Sequence, residues 1–219
     1  LRGRVPRADG RRDPARLDHT IAGLRAGGRR LGRPGALSLS QATEWGTVYG
    51  LEQITALTTR AHDAGMGAHM DGARLGNALA HLGCAPADMT WRAGVDVLSL
   101  GATKSGALAA ELVVVFDTTL AEDMERRIKR SGHLWAKQRF LSAQLLAWFE
   151  NDLWLKNARH ANELAGRLAR GLSRHAAATS PFEAQANVVF TLPPERLVPG
   201  LEASGQVFPR RTAPPGVHG

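Results

Sequence analysis

The 219-residue sequence has little cysteine and no long apolar run. Its one cysteine, Cys84, cannot form a disulfide within the chain, which predicts a reducing compartment, the cytoplasm. The apolar run Leu112–Phe116 is far shorter than the roughly 20 residues that a transmembrane helix needs, so no membrane contact is expected. The start of the chain also lacks the basic and then apolar pattern of a secretory signal.

The features that accompany nucleic-acid binding are absent too, although the formal net charge is +8. Ten arginines and three aspartates lie in residues 1–33, so the remaining chain is close to neutral. No helix-turn-helix, zinc-finger spacing or aromatic-rich RNA motif is present, and Tyr49 is the only tyrosine that could stack on a base. We therefore expect no nucleic-acid partner and no metal site, with an arginine-rich terminal arm as the source of the basic charge.

Hydrophobic periodicity predicts that strands and helices alternate in the first half of the chain. The predicted strands are ALSLS, MGAHM, VDVLSL and LVVVF. The predicted helices cover residues 13–27, about 51–65 and 73–83. Strands that alternate with helices indicate an α/β sheet with parallel pairs. Because the connection from Leu100 to Glu111 contains no obvious helix, LVVVF is predicted to run antiparallel to VDVLSL, which makes the sheet mixed.

The second half of the chain is predicted to be mainly helical. A long helical stretch runs from about Leu120 to His175, with breaks near Gly132 and Asn151. The segment NVVFTL is predicted to be a strand and PERLVPGLEASG a broken helix. The final segment, PRRTAPPGVHG, is rich in proline and is predicted to be disordered.

Two charged residues follow the carboxyl ends of predicted strands, where open α/β sheets bind ligands. Asp71 ends MGAHMD, and Lys104 lies in the loop after VDVLSL, in an apolar neighbourhood expected to hold little water. Arg74 follows Asp71 by one helical turn. An acid and a lysine so placed suit pyridoxal 5'-phosphate, because the lysine amine forms a Schiff base with its aldehyde while the carboxylate keeps the pyridine nitrogen protonated. Burial is expected to favour the neutral, nucleophilic amine of the lysine.

The residues around Lys104 are consistent with this interpretation, although simpler ones exist. Small residues let the backbone approach a planar cofactor, and Thr103 could offer its hydroxyl to the phosphate. As alternatives, Asp71 caps the helix that follows it, Arg74 is its local ion-pair partner, and Lys104 is an exposed loop lysine. Spacing alone does not decide between these interpretations.

The motifs HMDGARLGNALAHLG and VDVLSLGATKSGALAAELVVVF closely resemble the low-specificity L-threonine aldolases, in the aromatic amino acid β-eliminating lyase group. The segment LSLSQATEWGTVYGLEQI fits the same family, and the similarity extends from about residue 10 to about residue 200. The resemblance implies the fold of aspartate aminotransferase, pyridoxal-phosphate fold type I, with a mixed, mostly parallel sheet and flanking helices. It implies a cofactor-binding large domain in residues 1–150 and a partial C-terminal α+β domain in residues 151–219.

The resemblance also implies roles for individual residues. Lys104 is similar to the Schiff-base lysine, Asp71 to the partner of the pyridine nitrogen, and Arg74 to the arginine near the phenolic oxygen of the cofactor. Lys137 falls about where the family supplies a basic side chain to the phosphate of a neighbouring subunit, as expected in a homodimer or homotetramer. The implied reaction cleaves L-threonine or L-allo-threonine to glycine and acetaldehyde.

Other polar and aromatic residues are candidates for the site or for the core. Glu44 is the candidate base near the substrate β-hydroxyl, where the better-known branch of the family carries a histidine, and capping or ion pairing within its loop is the alternative. His69, on the same strand face as Asp71, is expected to be a buried, hydrogen-bonded histidine rather than a catalytic one. The tryptophans at positions 135, 148 and 154 are expected to pack together.

The sequence departs from the family in ways that open an alternative function. It begins with Leu1, and the N-terminal part that carries the glycine-rich phosphate loop and the ring-stacking residue is expected to be missing. The substrate-carboxylate arginine has no clear position. The alternative is a truncated, catalytically deficient member that keeps only the fold and an interface, binds the cofactor weakly and cleaves little threonine.

Overall fold

The computed structural model describes residues 21–22, 34–175 and 178–205. The helix predicted for residues 13–27 lies outside the described residues, except for Ile21 and Ala22, which are helical. The predicted disordered tail PRRTAPPGVHG also lies outside them.

The described residues form one four-stranded sheet, in the order β1-β2-β3-β4. Its strands are β1, Ala36–Ser40; β2, Gly67–Gly72; β3, Val97–Gly101; and β4, Glu111–Val115. The first three strands run parallel and β4 runs antiparallel to β3. The predicted mixed sheet, including the direction of LVVVF, is therefore confirmed.

Helices connect and follow these strands in the described part of the chain. The α-helices are α1, Leu51–Asp63; α2, Leu75–Leu82; α3, Pro86–Met89; α4, Ala121–Arg130; α5, Arg139–Phe149; α6, Leu153–Ser173; and α7, Val198–Ala203. Short 3₁₀ turns cover Trp91–Ala93, Thr103–Ser105, Thr118–Leu120, Glu150–Asp152 and Glu195–Leu197. None of the helices described is long and apolar enough to cross a membrane.

Most predicted helix boundaries are confirmed. Gly65 and Gly83 follow α1 and α2 in a left-handed backbone conformation, as their role as stops requires. The predicted break near Gly132 is the connection between α4 and α5. The break near Asn151 separates α5 from α6, and Asn151 has a φ of 51°, which asparagine tolerates better than most residues. The predicted broken helix PERLVPGLEASG is the 3₁₀ turn followed by α7.

The strand predicted for NVVFTL is wrong. Its only ladder contact among the described residues is an isolated bridge between Leu192 and Thr179. A strand forms only where a neighbouring strand can pair with it, and the described residues offer none here. Phe190 instead packs against Trp45, with ring centroids 4.8 Å apart.

The main core lies on one face of the sheet. Alternate residues of β1 and β2, including Leu37, Leu39 and Met70, are buried against Ile54 and Leu57 of α1. Burial of each such side chain contributes about 2 kcal/mol. The opposite face carries shorter or polar side chains that are only partly covered by the described residues. The side chain of Asp71, a residue of the candidate site, lies on this face.

Candidate active site

Asp71 stands near the carboxyl end of β2, in register with Ser40 of β1 and Ser99 of β3. Its side chain is exposed, and its Oδ1 accepts a hydrogen bond from the Ala73 backbone N–H at 3.0 Å. The Oδ2 makes no hydrogen bond with the residues that the structure describes. The N-cap position of α2 is Arg74, so the alternative in which Asp71 caps that helix is wrong. Asp71 stabilises the turn after β2 with one oxygen and presents the other at the edge of the sheet.

Arg74 is half-buried, and its Nε is fully shielded without a hydrogen-bond partner among the described residues. The ion pairs in the described part of the chain include none between Arg74 and Asp71. The alternative in which Arg74 forms a local ion pair with Asp71 is therefore wrong. A shielded guanidinium N–H without a partner is costly, because its desolvation is not compensated. A ligand oxygen at this position would satisfy it.

Lys104 lies in the 3₁₀ turn that follows β3, and its side chain is exposed, as is that of Thr103. The prediction that Lys104 is buried in an apolar, water-poor neighbourhood is wrong for the described residues. The apolar residues that suggested burial belong to β4, which pairs antiparallel with β3. The turn with Lys104 lies between these two strands and is not covered by them. The interpretation of an exposed loop lysine fits this geometry, and exposure also leaves the amine accessible to a ligand.

The loop after β2 and the end of β3 are in direct contact. A Cβ atom at Gly101 would lie 3.2 Å from the Cα of Ala73 and 2.6 Å from the Oε2 of Glu111. Only glycine allows the two backbones to approach this closely. Since Ala73 lies between Asp71 and Arg74, the contact places the loop with these two residues directly beside the segment that leads into the Lys104 turn.

His69 forms a row of hydrogen bonds across three strands of the partly covered face. Its Nδ1 lies 2.8 Å from the Ser38 Oγ, and its Nε2 lies 2.9 Å from the Ser99 Oγ. Burial lowers the pKa of His69 below its ordinary value, and the nearby Asp71 carboxylate opposes this only in part. The expected hydrogen bonds of His69 are confirmed, whereas the residue is half-buried rather than fully buried as expected. The two serines were missed, although alternation along paired strands identifies them as residues on the same face.

Glu44 lies in the segment between β1 and α1, at the same edge of the sheet as Asp71. This segment begins where the Gln41 backbone N–H donates to the Asp71 carbonyl oxygen at 2.8 Å. The buried Gln41 side chain closes the loop by donating to the Tyr49 carbonyl oxygen and accepting from the Tyr49 N–H. The Glu44 side chain itself is exposed. The structure thus brings the loop of Glu44 into contact with the strand of Asp71.

Lys137 and the tryptophans have different surroundings. Lys137 lies in the exposed connection between α4 and α5, and its expected partner belongs to a second subunit. Trp148 and Trp154 are buried, with ring centroids 5.2 Å apart, so the packing prediction is confirmed for them. It is wrong for Trp135, which is 52% exposed. Trp135 belongs to the same exposed connection as Lys137, which contributes no residue to the core.

The candidate site offers an amine that can react with an aldehyde, together with a hydrogen-bond acceptor and a cationic donor for a polar ligand. Lys104 supplies an accessible amine, Asp71 an acceptor oxygen, and Arg74 an N–H group in need of an acceptor. No group of three or more histidine, cysteine, aspartate or glutamate side chains that could hold a metal ion occurs among the residues described.

Comparison with solved structures identifies the fold. The Leishmania major threonine aldolase superposes with a TM-score of 0.78 and 22% identity, over 87% of this chain and 55% of that chain. Catharanthus roseus tryptophan decarboxylase gives a TM-score of 0.64 and 16% identity, over 94% of this chain and 47% of that chain. These likenesses confirm the predicted pyridoxal-phosphate fold type I, with its mixed, mostly parallel sheet.

Sequence comparison identifies the family. Low specificity L-threonine aldolases of Pseudomonas aeruginosa and of a further Pseudomonas strain are each 41% identical to this chain over 176 residues. The alignments cover 80% of this chain and 51% of each relative, so the chain spans about half the length of the curated relatives it matches. Residues 4–193 match the sequence model of the beta-eliminating lyases. The chain therefore belongs to the beta-eliminating lyase family.

Proposed function

We propose that this chain provides the cofactor-binding edge of a pyridoxal 5'-phosphate-dependent carbon–carbon lyase. The substrates are L-threonine and L-allo-threonine, and the products are glycine and acetaldehyde. The names of the Pseudomonas relatives support this substrate class. The single observation that carries the proposal is the close approach of Gly101 to Ala73, because it brings the loop of Asp71 and Arg74 beside the segment that leads to Lys104.

The residues at this edge divide the work of holding the cofactor. When bound, pyridoxal phosphate supplies a protonated ring that accepts the electron pair of the breaking Cα–Cβ bond. Lys104 would hold the cofactor covalently through its Nζ. The Oδ2 of Asp71 would accept a hydrogen bond from the pyridine N–H and so keep that proton in place. Arg74 would donate to the phenolic oxygen, and the Thr103 hydroxyl would donate to the phosphate.

Bond cleavage also requires a base for the proton of the substrate β-hydroxyl. We assign this role to Glu44, since its exposed carboxyl lies in the loop that starts at the Asp71 strand. Ordinary general-base catalysis of this kind contributes about 10²-fold to 10⁴-fold to the rate. The alternative to this assignment is a structural role of Glu44 within its own loop.

The proposal includes a homodimer or homotetramer. Leu134, Trp135 and Phe140 lie close together in the sequence and expose 65%, 52% and 55% of their surface, and exposed apolar side chains favour association. Lys137 lies between them in the chain and would reach the phosphate of a neighbouring subunit. We also propose a cytoplasmic location, with residues 1–150 in the cofactor-binding domain and residues 151–219 in the smaller domain.

Reductive labelling tests the central assignment. Borohydride treatment of the protein with pyridoxal phosphate, followed by peptide mapping, is expected to place the pyridoxyl group on Lys104. A Lys104→Ala variant should lose the label, whereas Lys156→Ala, which removes an exposed lysine of α6, should keep it. Labelling spread over surface lysines in the unaltered chain would contradict the proposal.

The alternative of a catalytically deficient member is not favoured by the comparisons. Acetaldehyde release from L-threonine, measured at saturating cofactor beside the Pseudomonas aeruginosa relative, decides between the two. Turnover that depends on Lys104 supports the lyase, and specific labelling of Lys104 without turnover supports the deficient member.

A further inference from the structure

The turn that carries Lys104 is held by two helices, although the Lys104 side chain is exposed. The Trp148 Nε1–H of α5 donates to the Ser105 Oγ at 2.8 Å and lies 3.1 Å from the Ser105 carbonyl oxygen. The Asn157 Nδ2 of α6 donates to the same carbonyl oxygen at 3.1 Å. The residue next to Lys104 is therefore an acceptor for two different helices.

The remainder of the loop is held as well. The Gln144 Oε1 of α5 accepts from the backbone N–H groups of Leu108 and Ala109, both at 3.0 Å. Within the loop, the Ala102 carbonyl oxygen accepts from the N–H groups of Ser105 and Ala107. The main chain on both sides of Lys104 is thus held by hydrogen bonds, whereas the lysine side chain makes none with the described residues.

Gly106 makes the contact with Asn157 sterically possible. Its φ is +119°, a conformation that residues with a Cβ rarely adopt, and a Cβ there would lie 2.8 Å from the Asn157 Nδ2. The order lysine, serine, glycine therefore has a physical reason, because the serine offers the acceptor and the glycine leaves room for the donor.

Helix α6 also contacts α2, the helix whose N-cap residue is Arg74. Asn77 of α2 and Asn162 of α6 exchange hydrogen bonds at 2.9 Å, and a Cβ at Gly76 would lie 3.3 Å from the Trp154 ring. Packed helices behave as rigid elements. One helix therefore touches both the Lys104 turn and the element that follows Asp71 and Arg74.

We propose that Trp148 and Asn157 are positioning residues that act through Ser105 to hold the Lys104 main chain at a constant place relative to Asp71 and Arg74. This inference rests on the proposed function, in which Lys104 carries the cofactor. The held main chain limits where the Lys104 amine can reach. The cofactor is a rigid molecule, so its aldehyde carbon can then meet Lys104 while its pyridine nitrogen meets Asp71.

A matched pair of tryptophan variants tests the proposal. Trp148→Phe removes the indole donor, whereas Trp154→Phe changes a neighbouring ring that is equally buried and makes no hydrogen bond with the described residues. In the protein without cofactor, amide hydrogen exchange in residues 102–110 is expected to rise roughly fivefold to tenfold in Trp148→Phe. Trp154→Phe should leave it within about twofold. Equal changes in the two variants would overturn the proposal.

A second variant and a second readout complete the experiment. Asn157→Ala should raise amide hydrogen exchange in the same residues. Because alanine is a good helix former, this variant should preserve α6 and can replace Trp148→Phe if that variant fails to fold. With cofactor added, the pH midpoint of the absorption band of lysine-bound pyridoxal phosphate should shift in Trp148→Phe and not in Trp154→Phe. Absence of specific Lys104 labelling in the unaltered chain would refute the proposed function, whereas unchanged loop exchange in both Trp148→Phe and Asn157→Ala would refute only the positioning role.

Discussion

Asp71 uses its two carboxylate oxygens differently, and this difference defines its chemistry. The Oδ1 stabilises the turn after β2, and the Oδ2 makes no hydrogen bond with the described residues. A carboxylate held in one orientation by its own turn needs no reorganisation to meet a positive charge. Under the proposed function, this orientation lets Asp71 stabilise a protonated ring in addition to its own turn.

Replacement of Asp71 by Asn keeps the size of the side chain and removes its charge. We expect kcat/KM for L-threonine in the cofactor-loaded protein to fall by about 10²-fold to 10³-fold, since an electron sink loses its charge partner. The control is Asp63→Asn, at an exposed position at the end of α1, which should retain activity. Wild-type turnover in Asp71→Asn would show that the pyridine nitrogen is held by another group.

His69 makes the stability of the fold depend on pH. Burial lowers its pKa in the folded state below the ordinary value of 6.5, so the unfolded chain binds a proton more readily. The stability that neutral His69 contributes is therefore fully present above the pKa of the unfolded chain, about 6.5. It is lost as the pH falls below that value toward the lower pKa of the folded state. Urea unfolding at pH 7 and pH 5 should show a larger loss of stability in the unaltered chain than in His69→Gln. Parallel losses in the two proteins would contradict this prediction.

At the scale of elements, the local pattern predicted most helices and strands because each buries one face. Leu51, Ile54, Leu57 and Ala61 have the spacing of one helical face, and α1 covers them. The strand prediction for NVVFTL was wrong because pairing depends on more than the local pattern. Its β-branched residues favour an extended chain, but a strand also needs a partner, and no local pattern reveals whether a partner lies nearby.

The contact between the two loops at the edge of the sheet can be tested through Gly101. Gly101→Ala is expected to lower the free energy of unfolding by about 1–3 kcal/mol, because the new methyl group meets the Ala73 backbone and the Glu111 carboxylate. It should also weaken specific labelling of Lys104. Gly35→Ala is the matched control, since a Cβ there meets nothing within 4 Å. Equal stability of the two variants in urea would show that the loops separate without cost.

At the scale of the whole molecule, the exposed apolar residues near the connection between α4 and α5 favour association with a second copy of the chain. Trp135 and Trp91 are each 52% exposed, but only Trp135 lies in the exposed connection between α4 and α5, beside Leu134 and shortly before the exposed Phe140 of α5. Trp135→Ser is therefore expected to weaken self-association about tenfold or more, as measured by sedimentation velocity over a range of concentrations. Trp91→Ser should leave association unchanged, and an equal effect of the two substitutions would exclude this surface as the interface.

The sequence by itself predicted the class of the sheet and the reversal of its last strand, and it singled out Asp71, Arg74 and Lys104 as candidate site residues. These features depend on local spacing and on motifs that can be read along the chain. Only the tertiary structure decided that Lys104 is exposed, that Asp71 does not cap α2, and that Trp148 and Asn157 meet at Ser105. Ser105 and Asn157 are 52 residues apart, and such contacts arise from the packing of α5 and α6 against the sheet edge, which no local pattern contains.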